Sequence, residues 1–299
     1  MKGMREVFAE TVIGAMETDP RVAVVLAEIS RDVFPKSDRV INVGIREQLM
    51  VGVGSGLALS GLRPVVHSYA PFLVERPFEQ IKLDYGHQDV GAVLVSVGAS
   101  YDDPVWGRTH QAPGDVALFD TLPGWTVHVP GHPDEVAPLI ADALRRDDKV
   151  YVRLSLRTNA EPRPVTEGFT VVRQGKRGVV VAVGPVLDRV LTATEGHDVT
   201  VLYATTVRPF DAEGLLRAVR GADHADVLLV EPYLAGTSAH HVNEALADVP
   251  HRIHSLGVQR EAELRAYGTP ADHDSAHDLD VLGIAAAATR MFGHGADVR

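Results

Sequence analysis

The chain has 299 residues, 45% of them hydrophobic and 23% charged, enough for two soluble domains of ordinary size, each with its own core. Forty acidic residues against 29 basic ones leave a net charge of −11, which argues against a nucleic-acid partner. There is no cysteine, which excludes disulfides, thiolate metal ligands and cysteine nucleophiles. No apolar run reaches the roughly 18 residues of a membrane span, so no membrane partner is expected, and the lack of cysteine fits a cytoplasmic protein. Residues 1–20 mix charged and apolar groups at helical spacing, which predicts an opening helix and not a secretion signal. Continuous β-branched runs at 21–28, 39–43, 64–69, 91–97, 126–130 and 150–156 read as buried parallel strands, because a half-exposed strand would alternate. Between them, 40–61 passes from a short strand through a glycine to Glu47 and a helix of small and apolar residues. The clearest helix is 132–148, with Pro133 in its first turn, Asp134 and Glu135 at its positive end and Arg145 and Arg146 at its negative end.

Composition changes over 157–178, where prolines and scattered charge replace periodicity, and residues 161–177 read as a linker between domains at 1–160 and 178–299. Strand runs then resume at 178–184, 199–206, 227–232 and 252–258, and the chain closes on an alanine-rich helix at 278–292, with Asp278 or Asp280 as its cap. The alternation of strands and helices predicts an α/β fold of two doubly wound domains with mostly parallel sheets.

Several motifs read as structural. Gly52, Gly54 and Gly56 lie inside the predicted helix, too late for a dinucleotide turn, and Gly52 and Gly56 share one face for close helix packing. Residues 271–280 carry two histidines among aspartates, but helix capping explains them better than a metal, and no metal ligands are assigned to this chain. His240 and His241 read as a helix surface pair, and Ser55 lacks the spacing of a nucleophile elbow. Two stretches are richer. Residues 69–84 carry Phe72, Arg76, Phe78 and Glu79; residues 98–115 form a long unpatterned segment after a strong strand and hold Trp106, Gly107, Arg108 and His110. A loop of that kind at the carboxyl end of a parallel strand is where α/β proteins place binding groups.

Taken in order, these stretches resemble the C-terminal part of the transketolase family of thiamine diphosphate enzymes. NVGIREQ (42–48) is similar to its Gly-Ile-x-Glu-Gln motif, and 61–81 to its strand followed by Phe-Leu-x-x-Arg-x-aromatic-x-Gln. GRTHQ (107–111) is similar to its Gly-x-Thr-His-Gln turn, followed by a proline-bounded strand at 122–136; VRPFD (207–211) and 228–240 resemble its C-terminal domain. The resemblance implies that Glu47 is catalytic, a buried acid that hydrogen-bonds N1′ of the cofactor pyrimidine and favours the tautomer able to deprotonate the thiazolium. It implies that Phe72 and Phe78 wall the aminopyrimidine, with Arg76 and Glu28 beside it, although the family usually has aspartate at the latter position. His110 would contact donor hydroxyls and relay protons, and Arg153 and Arg157 would grip a substrate phosphate.

The family's Gly-Asp-Gly…Asn signature, which holds Mg²⁺ and the cofactor diphosphate, does not occur in this sequence. The resemblance therefore implies one half of a split enzyme: thiamine diphosphate shared with an N-terminal subunit that holds Mg²⁺, in an α2β2 assembly acting on a small sugar substrate. Trp106 stands where the family usually has aspartate, and Gly98 where many members have histidine, so an ordinary pentose phosphate is not the expected substrate. A 2-oxoacid dehydrogenase β subunit and a non-catalytic assembly partner remain alternatives.

Overall fold

Burial on both faces turns the β-branched runs of the first half into β1 (Val22–Leu26), β2 (Val40–Asn42), β3 (Arg63–Tyr69), β4 (Ala92–Val97), β5 (Trp125–His128) and β6 (Lys149–Arg153). The computed structural model, which describes residues 2–261 and 263–293, orders them β5-β6-β4-β3-β1-β2, every pair parallel. The helices are α1 (Met4–Thr18), α2 (Glu47–Leu59), α3 (Phe78–Gln80), α4 (Asp115–Phe119) and α5 (Pro133–Arg145). α1 and α5 cover one face through Phe8, Val12, Val136 and Ile140. α2 and the turns around α3 cover the other through Met50, Val51, Leu73 and Ile81. At the mouth of α5, His132 Nδ1 accepts the Asp134 amide at 3.1 Å, a cap for the helix expected there.

The second half contains β7 (Thr170–Arg173), β8 (Val179–Val183), β9 (Thr200–Ala204), β10 (Thr206–Arg208), β11 (Asp226–Leu234) and β12 (Arg252–Val258). Its helices are α6 (Leu187–Ala193), α7 (Ala212–Arg220), α8 (Ala239–Ala245), α9 (Pro270–Ala276) and α10 (Val281–Phe292). The sheet order is β12-β11-β8-β9-β7, parallel except for β7 on β9, with α6 and α10 packed on one face and α7 and α8 on the other. Asp280, not Asp278, caps α10, accepting the Gly283 amide at 2.7 Å. Among the described residues no helix is long and apolar enough to cross a membrane.

Three details differ from the sequence reading. The run at 199–206 is two strands in two sheets: after β9 the chain leaves the second sheet, and β10 pairs antiparallel with β5 at the edge of the first. Periodicity reports burial and not the identity of the neighbouring strand, so one apolar run hid the switch. Thr170–Arg173, inside the expected linker 161–177, is the edge strand β7; an edge strand with one exposed face lacks the continuous apolar signal of an interior one. Close approach to α2 occurs at Gly54, where a Cβ would lie 2.7 Å from Val66 Cγ2 and collide with the Tyr85 hydroxyl. A Cβ on Gly56 would meet nothing within 4 Å, and one on Gly52 only the Asp84 carboxylate at 3.6 Å.

The halves share a core: Val183, Ala204, Val207 and Tyr233 join the cluster built on β5 and α4. Buried Glu135 of α5 accepts from the Tyr203 hydroxyl and the Gly131 amide at 2.7 Å each and from the Arg163 amide at 2.9 Å. Such a satisfied buried carboxylate fixes one relative placement of the two sheets.

Candidate active site

The carboxyl ends of β1, β2 and β3 carry the first cluster, as expected for an open parallel sheet. Two residues past the end of β1, Glu28 holds a left-handed φ of 69°, uncommon for a residue with a side chain. Asn42, at the end of β2, locks it in place: Asn42 Oδ1 accepts the amides of Glu28 (3.0 Å) and Gly44 (3.2 Å), and Nδ2 donates to Glu28 Oε1 at 2.8 Å. Gly44 then takes a φ of 71°, and the chain turns into α2 at Glu47.

Glu47 is 2% exposed although it opens a helix. Arg76 Nη1 donates to its Oε2 at 2.7 Å, while Oε1 is buried with no hydrogen-bond partner. A buried acceptor left unmatched costs about 1–3 kcal/mol, so an orphan of this kind marks a place where a further donor or acceptor belongs. Arg76 lies in a segment where π turns at Pro71–Glu75 and Ile81–His87 flank α3, a departure from regular helix that concentrates at functional sites. Its guanidinium sits 4.2 Å above the Phe72 ring. Phe72 in turn meets His110 edge-on at 5.0 Å and Tyr69 at 6.1 Å, and Trp106 lies 5.7 Å from His110. Glu47, Arg76, Phe72, His110 and Trp106 therefore form one continuous series. Phe78 is half-buried at the start of α3; among the described residues it has no ring partner in this series.

The segment 98–115 is ordered by buried carboxylates that pattern reading missed. Asp102 accepts the amides of Ala99 (3.0 Å) and Leu156 (2.8 Å) and the Ser155 hydroxyl (2.8 Å), while burial pushes its pKa up. Two 3₁₀ turns, Pro104–Trp106 and Arg108–His110, then present Trp106 at 61% exposure. Gly107 is required between them: its φ is 71°, and a Cβ would press on the Tyr267 ring at 2.8 Å. Arg108, singled out with them, pairs with Glu263 of the second half at 3.2 Å.

Neither of the two arginines expected at a substrate phosphate is free in this structure. Arg153 is 1% exposed and is held by Asp115 at 2.7 Å and the Ser100 hydroxyl at 2.6 Å, with Tyr151 donating to the same carboxylate at 2.7 Å. It is the last residue of β6, buried against Asp115, so in this structure it pairs within the core and is not presented to a substrate phosphate. Arg157 is bidentate to Asp274 of α9 at 2.7 and 2.6 Å, and Arg189 meets the same carboxylate at 2.8 Å. Within 271–280, residues up to Ala276 belong to α9 (Pro270–Ala276), and Asp280 caps α10, in line with the capping role expected of the aspartates there. His273 of α9 and His277, which follows its last turn, face Tyr101, stacked at 5.1 Å and tilted at 5.5 Å.

The family description "Transketolase, pyrimidine binding domain" matches residues 1–160. The chain belongs to the transketolase family. The "Uncharacterized 33.6 kDa protein in fasciation locus" of Rhodococcoides fascians is a relative at 56% identity, covering 96% of this chain and 94% of its own length. An apulose-4-phosphate transketolase subunit of Actinobacillus succinogenes is 31% identical over 77% of each chain. That alignment runs over most of a separate subunit. A solved structure described as "Split gene transketolase, inactive beta4 tetramer" superposes with a TM-score of 0.82 at 24% identity, over 97% of this chain and 98% of that one, and shares the fold. As a transketolase-family chain it falls within a class of thiamine diphosphate-dependent transferases.

Proposed function

We propose that the chain is the pyrimidine-binding, C-terminal subunit of a split transketolase, moving a two-carbon ketol unit between sugar or sugar phosphate substrates. It acts only with an N-terminal subunit that supplies the diphosphate and Mg²⁺ contacts, in an α2β2 heterotetramer. When bound, thiamine diphosphate supplies the acidic ring carbon that takes up the ketol unit. The observation that carries the reading is the unpartnered Oε1 of Glu47, 2% exposed and set beside Arg76 and the Phe72 ring. A pyrimidine edge offers the donor or acceptor that this oxygen lacks, and Phe72 offers an apolar face for the ring. These residues fit the group.

Within that site, Glu47 holds and exchanges a proton at the pyrimidine nitrogen, with Arg76 fixing its other oxygen in place. Phe72, with Phe78 further along the same segment, excludes water from the ring. Glu28, held by Asn42, borders the cofactor. His110, oriented by Phe72 and Trp106, is the group that meets substrate hydroxyls and passes protons to them.

The need for a second chain rests on two features. The sequence has no Gly-Asp-Gly signature for a hard cation and diphosphate. Ile45 and Leu49, which flank Glu47 along the chain, are 74% and 48% exposed, an apolar rim suited to burial by a partner. The inactive β-only tetramer named for the solved relative is the assembly such a chain would form alone. The experiment is co-expression with the product of the adjoining reading frame, measuring thiamine diphosphate-dependent ketol transfer for wild type and Glu47→Ala. Transfer by wild type and loss in the variant support the proposal; equal rates sink the role of Glu47. Turnover of a 2-oxo acid with lipoyl acceptor in place of ketol transfer would favour the dehydrogenase reading, and no turnover of either would favour an assembly partner.

A further inference from the structure

His240 and His241 are consecutive on α8, where neighbouring side chains ordinarily diverge by about 100° around the helix. At this first turn they converge instead, ring centroids 3.9 Å apart, and both reach the carboxylate of Asp120 from the other half of the molecule. His240 Nε2 lies 3.3 Å from Asp120 Oδ2, and His241 Nε2 lies 3.0 Å from Oδ1. We propose that Asp120, His240 and His241 form a binding site for a divalent transition-metal ion of the zinc type, which clamps the first half of the chain to the second.

The donor set is the first reason. Two imidazole nitrogens and one carboxylate oxygen suit Zn²⁺ or Co²⁺ and leave a fourth tetrahedral position for water, whereas Mg²⁺ and Ca²⁺ call for oxygen ligands. The three ligand atoms lie within 4.8 Å of one another. Metal–ligand bonds of about 2.0–2.1 Å place tetrahedral neighbours roughly 3.3–3.5 Å apart, so small side-chain rotations close the site.

The support around the ligands is the second. The His241 ring lies flat against Phe210 at 5.4 Å and 11°. Its Nε2 is turned to the Asp120 carboxylate at 3.0 Å, while Nδ1 points away from it, 3.9 Å from the exposed Glu244 carboxylate. Arg208 Nε donates to Asp120 Oδ1, leaving Oδ2 toward His240. Arg208 offsets the charge of Asp120, so the site is weaker than an anionic one and selects by geometry and ligand type. His240 is 51% exposed, which gives the ion a route from solvent. None of the residues placed at the pyrimidine belongs to this cluster.

The test uses the full-length chain, stripped with chelator and titrated with Zn²⁺, Co²⁺ or Mg²⁺ at neutral pH. Expected are a thermal midpoint that climbs with Zn²⁺ and returns with chelator, no response to Mg²⁺, and tetrahedral d–d bands with Co²⁺ at one equivalent. His240→Gln, at a half-exposed position that leaves the fold intact, and His240→Gln/His241→Gln should remove the Co²⁺ bands and weaken Zn²⁺ binding at least 100-fold. A wild type without saturable Co²⁺ bands, or variants that bind as the wild type does, would overturn the proposal.

Discussion

Glu47→Gln separates the chemistry proposed for this carboxyl from its contribution to folding. In the variant, the amide oxygen can still accept from Arg76, as Oε2 does at 2.7 Å, and the amide nitrogen takes the place of the unpartnered Oε1. One buried polar atom is unmatched before and after the change, and Arg76 is 39% exposed, so its half of the pair is already part-solvated. The stability cost should stay near 1 kcal/mol, or about 2–4 °C in Tm. The pyrimidine nitrogen would still receive a hydrogen bond from the amide, so cofactor affinity should change little. What the amide cannot do is exchange a proton. Losing a positioned acid–base group lowers turnover by about 10²–10⁴-fold, an activation cost of roughly 2.7–5.4 kcal/mol. The assay is ketol transfer by the reconstituted two-subunit enzyme at saturating cofactor, with cofactor occupancy and Tm measured on the same sample. A Glu47→Gln enzyme within tenfold of wild type at full occupancy would refute the reasoning. So would a lost activity explained by unfolding.

Asp115→Asn should destabilise the chain by about 3–5 kcal/mol in urea unfolding, because it strands Arg153 at 1% exposure without its counter-charge; a change below 1 kcal/mol would mean that Arg153 finds another partner. Gly54→Ala should cost about 1–3 kcal/mol by overpacking against Val66 and Tyr85, whereas Gly56→Ala should be neutral or stabilising, and equal effects would contradict the packing described here. Burial holds His67 and His128 at a pKa of about 4 against 6.5 unfolded, so the unfolded chain takes up more protons between those values. Stability is then fully present above about pH 6.5 and falls by roughly 1.4 kcal/mol per unit per histidine as pH drops toward 4; a urea midpoint unchanged between pH 7 and pH 5 would contradict it. Trp106→Asp, at a side chain 61% exposed, should leave Tm unchanged and raise ketol transfer from a five-carbon ketose phosphate, and a wild type already fast on that donor would remove Trp106 as a specificity element.

How far the sequence could be read depended on whether a signal was local. Strands covered on both faces announced themselves, because Val22–Leu26 and Ala92–Val97 are buried at every position. Glu47, Phe72, Arg76 and His110 were picked out through the family motifs that their stretches resemble, which are read along the backbone. Edge strand Thr170–Arg173 and the sheet switch at Thr206 were not, since a neighbour leaves no mark on a segment's own periodicity. Residues with two chemically equal destinies were misread for the same reason: an arginine at a strand end serves a phosphate or a buried aspartate with the same guanidinium, and only the position of Asp115 across the fold chose for Arg153.

From its residues alone the protein was determined to be an α/β chain of transketolase type, because burial periodicity and closely spaced motifs are properties of neighbours along the backbone. Tertiary structure decided which charges meet: the Arg76 hydrogen bond that leaves one Glu47 oxygen unmatched, the Arg157–Asp274 tie, and the convergence of His240 and His241 on Asp120. Electrostatic and hydrogen-bond partners act through space over a few ångströms and join residues separated by tens to more than a hundred positions, so no local pattern carries them.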